Sequence, residues 1–417
     1  MEIKRDLHLK KLIDSKHNGM IKVVTGVRRC GKSYLLLNLF CQHLKDEGVA
    51  DDHIIKVDLE DRRNKALRNP DTLLNYIDNL MTDKQMYYIL LDEVQHVNDF
   101  EDVLNSYLKI ENADVYVTGS NSKFLSKDVI TEFRGRGDEI RIAPLSFREF
   151  MSVFHGSREN ALEEYMLYGG LPKVVTIATP EKKSEYLKSL FRKTYLTDIK
   201  ERYKIKNDDD LEELIDIIAS SIGGLTNPTK LENTFQTVKR SNITHNTIKS
   251  YLDILQDAFL VEKSVRYDIK GRKYIETPAK YYFSDLGLRN ARLNFRQYEE
   301  THLMENMIYN ELRLRGMSVD VGIVIKNEKD ANGVSVRKQL EVDFVCNQGS
   351  QRYYIQSALR LSNEEKRKQE VRSLKDINDS FKKIVVTEDL ISRYLDDNGI
   401  TYMNIYEFLL NEDSLRL

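Results

Sequence analysis

The sequence predicts an α/β chain of several domains, the first a parallel sheet flanked by helices. Three observations carry that expectation. A buried strand runs through a glycine-bounded loop into a helix over residues 20–37. A second, wholly apolar strand ends in two carboxylates, Asp92 and Glu93, as expected of a central parallel strand covered on both faces. Toward the C-terminus a helix bearing Glu305 precedes strands bearing Asp343 and Gln356, the pattern of a further α/β unit.

At 417 residues the chain exceeds one ordinary core, and about two or three domains are expected. Its 64 Lys+Arg and 66 Asp+Glu nearly cancel, for a formal net charge of -2. No global charge therefore draws it to nucleic acid, and any such contact must come from a local patch. Cys30, Cys41 and Cys346 are odd in number and far apart, which points to a reducing compartment without disulfides. The start, MEIKRDLHLKKLI, is charged and amphipathic and lacks a signal-peptide core. No segment approaches the ~18 uncharged apolar residues of a membrane span. A cytoplasmic protein with no membrane partner is expected.

Residues 6–16 read as a short helix with Leu9, Leu12 and Ile13 on one side. The strand at 20–25 delivers a loop that matches G-x-x-x-x-G-K-[ST] at Gly26, Gly31, Lys32 and Ser33, the phosphate-binding loop of nucleotide hydrolases. Glycines let the backbone curl and turn N–H groups toward phosphate oxygens, and the helix that follows adds its positive end. Nucleotide contacts are expected along Gly26, Val27, Arg28, Arg29, Cys30, Gly31, Lys32, Ser33 and Tyr34. Lys32 should reach the terminal phosphates and the Ser33 hydroxyl should ligate magnesium.

Residues 54–60 read as another strand, with Asp58 or Glu60 near its end. At the end of the strand 87–93, Asp92 is the second expected magnesium ligand and Glu93 the group that polarises the attacking water. The strand from 114 ends in the polar cluster 118–122, where Asn121 and Ser120 compete to orient water or sense the terminal phosphate. The glycine-hinged stretch 131–137 follows, with Arg134 and Arg136. An arginine there would neutralise developing phosphate charge, in its own chain or a neighbour's, with Arg136 the stronger candidate.

The stretches GVRRCGKSYLL (26–36), LLDEVQ (90–95), VTGSNS (117–122), FRGRGDEIRIAPLSFREF (133–150) and EYMLYGGLPKV (164–174) resemble the archaeal and bacterial AAA-superfamily ATPases related to the replication-origin and STAND-like branch. The resemblance covers nearly the whole chain and is strongest up to about residue 175. It implies an ATP-binding core over 1–155, magnesium-dependent hydrolysis, a helical lid and linker over 156–206, and a C-terminal domain of unknown function.

Within the lid, Tyr168–Pro172 is a tight break between helices, and 184–204 is helical and basic. The polar run 207–210 sets a domain boundary near 205. Helices over 211–221, 229–239 and 248–259, with 241–247 as the turn before the third, place His245, Asn246, Thr247 and Lys249 at the front of a recognition helix. Two short strands around Lys270 and Gly271 then make a wing. The pattern predicts a winged helix over 207–285. Lys263, Arg266, Lys270, Arg272 and Lys273 would meet the phosphates of double-stranded DNA, although Asp253, Asp257 and Glu262 dilute the face and suit a protein partner or self-association equally.

Over 286–417 the order is helix 299–315 with Glu305, strands 319–325 and 334–345 around Gly333, a hairpin at 347–350, and strand 353–358. A helix 364–378, a strand 382–387 and a last element 405–410 complete it. This resembles the restriction-endonuclease-like fold, whose metal site takes a helix Glu, a strand Asp and E/Q-x-K on the next strand. Glu305, Asp343 and Gln356 match, and Ala358 stands where that pattern has its lysine. Without that cation, cleavage is expected to be weak, and Arg360 is a poor substitute base. The resulting expectation is an ATPase driving a nucleic-acid- or protein-binding module, against a nucleotide-gated scaffold or an ATP-regulated nuclease.

Overall fold

The computed structural model describes residues 2–119, 135–205, 208–239, 243–329 and 335–416, and the chain divides into two units. The first runs to Leu145 and includes Leu171–Lys173 and Asp257–Phe259; the second holds the remainder.

Five strands build the sheet of the first unit: β1 (Ile21–Gly26), β2 (Ile54–Asp58), β3 (Tyr87–Asp92), β4 (Ala113–Thr118) and β5 (Gly137–Ile142). They lie in the order β2-β3-β4-β1-β5, every neighbouring pair parallel. All residues of β1 and β3 are buried; β3 accordingly reads as a continuous apolar run, and β1 does so but for Lys22, which is paired with buried Asp114, and Thr25. β5 lies outside the strands that the pattern predicts. It forms a sheet edge, and its Asp138, Glu139 and Arg141 conceal the strand signal.

The strand order fixes the place of the ligand crevice. The chain leaves β1 for β2, returns through β3 and β4, and then crosses β1 to reach β5. β1 and β4 are neighbours whose outgoing connections part, and the C-terminal ends of such strands form the binding crevice of open parallel sheets. Behind it, Val23, Val57, Ile89, Leu91 and Val117 pack against Leu73 and Ile77 of helix Pro70–Leu80 and Phe100, Val103 and Leu104 of helix Phe100–Tyr107. Each such buried side chain contributes about 1.5–3 kcal/mol. Asn69 caps the first of these helices by accepting the Thr72 N–H at 3.0 Å, and Pro70 follows at its first turn.

The second unit holds an eight-stranded sheet of β6 (Val261–Asp268), β7 (Lys273–Phe283), β8 (Ser318–Lys329), β9 (Ser335–Gln348), β10 (Gln351–Ala358), β11 (Lys382–Thr387), β12 (Tyr394–Leu395) and β13 (Ile400–Asn404), in the order β12-β13-β11-β10-β9-β8-β6-β7. Helices Asp208–Ser220, Pro228–Thr234 and His245–Asp257 precede the β6–β7 hairpin. β6 also pairs in parallel with β8 through Arg266–Asp268 opposite Val321–Ile323. The hairpin expected as a wing is thus continuous with the strands beyond residue 285. Long-range pairing of this kind leaves no local sequence mark. The helix expected over 364–378 is two shorter ones, Glu364–Glu370 and Arg372–Lys375, divided at buried Val371.

Two motifs 115 positions apart meet in this unit, where Asp285 Oδ2 accepts the Gly170 N–H at 2.8 Å. Its Oδ1 accepts the Leu288 N–H at 3.0 Å and so caps helix Leu286–Arg292. A Cβ on Gly287 would stand 2.0 Å from the Tyr168 carbonyl oxygen, so only glycine fits there. Among the described residues no helix is long and apolar enough to cross a membrane.

Candidate active site

β1 ends at Gly26 with φ 137°, and the loop then takes Arg29 through φ 63° and Gly31 through φ 97° before the helix opens at Lys32. A Cβ on Gly26 would lie 2.0 Å from the Ile142 carbonyl oxygen on β5, so this glycine is fixed by close approach as well as by its dihedral. The helix runs as Lys32–Tyr34, a wider π turn over Leu35–Phe40, and Cys41–Asp46. Its first-turn N–H groups have no acceptor within the helix and face the loop, the arrangement that receives phosphate.

Lys32 is buried, and its Nζ donates to the carbonyls of Gly26 at 3.2 Å and Val27 at 3.4 Å. The ammonium thus folds over the concave side of the loop. Val27 and Cys30 are buried, and the Cys30 thiol donates to the Ile142 carbonyl at 3.5 Å, so these two serve the loop through backbone. Tyr34 is exposed. Arg5, which the amphipathic start did not single out, clamps the loop: it is buried and donates to the carbonyls of Cys30 at 2.9 Å and Ala143 at 2.7 Å.

Across the crevice, buried Asp92 closes β3, and Glu93 follows in the left-handed region at φ 53°. Thr118, at the end of the intervening strand β4, donates from Oγ1 to Asp92 Oδ1 and accepts the Glu93 N–H at 3.1 Å. Gln95 Nε2 donates to Glu93 Oε2. Burial raises the Asp92 carboxyl above its ordinary range, opposed by hydrogen bonds from the Thr118 and Ser33 hydroxyls. Ser33 and Asp92, 59 positions apart in sequence, thus stand close enough for the hydroxyl to act on the carboxyl. A hydroxyl beside a buried carboxylate, at the mouth of a phosphate loop, is a donor set that fits magnesium. Asp58 stands opposite Asp92 in the register and accepts the N–H groups of Glu60 and Asp61 at 2.9 and 3.2 Å, so it serves the turn after β2.

The other expected site residues fall elsewhere. Asn121, with Ser120 and Arg134, lies outside the described residues. Arg136 is exposed, and its carbonyl accepts the Ile21 N–H at 2.9 Å, at the entry of β1. The phosphate loop lies at the exit of that strand, ~16 Å along at about 3.3 Å per residue. The structure does not bring Arg136 together with Lys32 and Asp92.

In the second unit Glu305 and Asp343 do meet, around a lysine that the sequence pattern did not identify. Lys280 on β7 sets its Nζ 2.8 Å from Glu305 Oε1, 2.7 Å from Glu341 Oε1 and 3.7 Å from Asp343 Oδ1. Burial acts to lower the Lys280 pKa, but the charges of Glu305, Asp343 and Glu341 outweigh it and hold the ammonium well above its ordinary value. Burial, then the charge of Glu305, raises Asp343 well above the carboxylate range, while Lys280 opposes that. Gln356 stands beside the cluster and does not touch Lys280: its Oε1 accepts the backbone N–H of Asp343 at 3.4 Å, and its side chain is near enough to Glu370 to favour that carboxylate's charged form. Ala358 packs into an apolar cluster with Val342, Val345 and Tyr354. Arg360 lies beyond the end of β10, close enough to Glu388 to act on its charge.

Among the basic residues expected to meet phosphates, Arg266 is buried and donates to the Thr277 carbonyl at 2.6 Å. Lys270, Arg272 and Lys273 are exposed at the β6–β7 turn.

Comparison with known proteins agrees with the geometry of the first unit. A family model described as an AAA domain matches residues 18–151, and one for a domain of unknown function (DUF8612) matches residues 159–299. An uncharacterized protein of Haemophilus influenzae is 33% identical over 414 residues, 98% of each chain. One of Methanocaldococcus jannaschii is 30% identical over 360 residues, 82% of this chain and 74% of its own. A Walker-type ATPase of Pyrococcus abyssi has a similar structure at a TM-score of 0.49 and 16% identity, over 70% of this chain and 96% of its own.

Proposed function

We propose that this chain, which belongs to the family of the Haemophilus influenzae protein and carries an AAA domain of P-loop NTPase type, hydrolyses ATP in a magnesium-dependent cycle that rearranges its C-terminal module. The observation that carries this reading is that Thr118 holds Asp92 and Glu93 together while the Ser33 hydroxyl of the phosphate loop acts on the same Asp92 carboxyl. Loop and helix N–H groups hold the phosphates. Lys32 exchanges its two carbonyl partners for the terminal phosphates, which are stronger acceptors. Ser33 and Asp92 hold magnesium, which when bound neutralises charge across those phosphates. Glu93 orients a water and takes its proton as the oxygen bonds the terminal phosphorus and ADP departs.

Asn121, three positions beyond Thr118, is proposed to orient that water or sense the terminal phosphate. Arg136 is proposed to act on the nucleotide of a neighbouring copy, since it stands at the far end of the sheet from its own loop. Lys32→Ala should lose ATP binding or turnover. Glu93→Gln should keep binding and lose roughly 100-fold or more of turnover. Unchanged hydrolysis in Glu93→Gln overturns the assignment.

We read 1–155 as the ATPase core, 156–206 as lid and linker, and 207–285 as a winged helix whose hairpin joins the sheet of a nuclease-like module over 286–417. Three helices and a hairpin in that order support the winged helix, and exposed Lys270, Arg272 and Lys273 give it a basic tip suited to double-stranded DNA. A DNA mobility shift that weakens steeply with salt supports this partner; a salt-insensitive protein complex favours a scaffold instead.

A further inference from the structure

We propose that the carboxylate cluster of the eight-stranded sheet is a cation site whose resident cation is the ammonium of Lys280, so that the C-terminal module acts on its partner by binding and not by metal-dependent phosphodiester cleavage. This goes beyond the ATPase reading and stands on separate residues.

The ammonium occupies the place a divalent ion would need. Its side chain is 2% exposed, and it lies within 3.7 Å of oxygens from three carboxylates on helix Glu300–Leu314 and β9. Two of these carboxylates also accept donors from elsewhere in the protein. Glu305 Oε1 also accepts the Tyr282 hydroxyl at 2.7 Å, and Asp343 Oδ2 accepts the Ser357 N–H at 2.8 Å. Among the described residues no three His, Cys, Asp or Glu side chains are arranged to hold an ion. A lysine donates hydrogen bonds and carries one charge, so it satisfies these oxygens without offering a water or phosphate an open coordination position.

The chain closes over the ammonium. Thr226 and Ala279 exchange two backbone hydrogen bonds, at 2.9 and 2.8 Å, immediately before Lys280. Glu305 Oε2 lies so close to Gly223 that a Cβ there would stand 2.9 Å away. The turn after helix Asp208–Ser220 therefore lies directly against the Glu305 carboxylate, while Glu341 on β9 stays 38% exposed.

The register of β9 explains why the expected lysine position is unused. Val345 opposes Asp320 but Val342 opposes Gly322, so β9 carries an extra residue between them, a bulge at Asp343–Phe344. Val342 and Val345 both enter the apolar cluster that holds Tyr354 and Ala358. Asp343 instead joins Glu341 and Lys280 away from it. A side chain at position 358 points into that apolar cluster, and the cation must come from another strand.

The test is Mn2+ uptake by the nucleotide-free full chain, followed by electron paramagnetic resonance and by thermal shift, in an Asp92→Asn background so that the Ser33–Asp92 pair at the phosphate loop does not contribute. Wild-type and Asp343→Asn at the second site should take up Mn2+ equally. Lys280→Met should gain about one Mn2+ per chain at moderate affinity, with a rise in Tm on adding the ion. Lys280→Met with Asp343→Asn should lose that gain. A Mn2+ bound with Lys280 in place and lost in Asp343→Asn overturns the proposal, as does a folded Lys280→Met chain that gains none. Where Lys280→Met does not fold, the first pair decides alone. Failure here leaves ATP turnover untouched, and failure of the ATPase reading leaves this result untouched.

Discussion

The hydroxyl of Thr118 donates to Asp92 Oδ1 and accepts the N–H of Glu93 at 3.1 Å, so one side chain at the end of β4 holds the last residue of β3 and the carboxylate residue that follows it. Thr118→Val keeps the shape and removes the hydroxyl, leaving a buried carboxylate short of a donor and a backbone N–H without its acceptor. An unmade buried hydrogen bond costs about 1–3 kcal/mol. Turnover of ATP should fall about tenfold or more, with nucleotide affinity changed less and Thr118→Ser close to wild-type. Steady-state hydrolysis beside a binding titration separates the two quantities.

The two loop glycines should differ. Gly26→Ala places a methyl 2.0 Å from the Ile142 carbonyl oxygen, a backbone atom that cannot step aside, whereas at Gly31 the nearest atom is the end of the Arg5 side chain at 3.6 Å. Gly31→Ala then bears only its dihedral cost, about 1 kcal/mol. Gly26→Ala should lower Tm by several times as much and abolish nucleotide binding. Equal loss of Tm in both variants would contradict the close approach.

Arg5→Met should loosen the phosphate loop from a distance. It removes the donors of the Cys30 and Ala143 carbonyls while keeping much of the apolar stem. One buried and one half-buried acceptor without partners cost roughly 1–3 kcal/mol together. ATP affinity should drop along with Tm, and added nucleotide should restore part of the lost Tm, since a ligand that binds only the folded chain stabilises it.

Asp285 predicts a pH dependence. Burial pushes its carboxyl up to about 6, against the Gly170, Leu288 and Gly287 N–H groups that favour the charged form. In the unfolded chain the same group titrates near 3.8. Between those values the folded state binds more protons, so this group's contribution is greatest at low pH and is lost as pH rises through about 6. Asp285→Asn removes that slope. Relative to the variant, wild-type should lose on the order of 2–3 kcal/mol between pH 4 and pH 7. Chemical denaturation at the two pH values measures it, and parallel curves would refute it.

Short-range chemistry left its mark in the residues themselves. A loop of fixed spacing around Gly26, Gly31, Lys32 and Ser33 admits few uses, and strands buried on both faces announce themselves as apolar runs, so β1, β3 and the Asp92–Glu93 pair were legible. The edge strand β5 was not, because a half-covered strand with charges looks like a loop. The tertiary structure alone decided which distant residues meet. Strand order set Thr118 between the phosphate loop and Asp92, and brought Arg5 onto the Cys30 carbonyl. It left Arg136 at the far end of β1. In the second unit a single extra residue in β9 turned the Asp343 carboxyl away from the apolar cluster that holds Ala358, and the pairing of β6 with β8 brought Lys280 to Glu305 and Asp343. Register and pairing join segments tens of residues apart through backbone hydrogen bonds that every residue but proline can make. No local window of sequence records them.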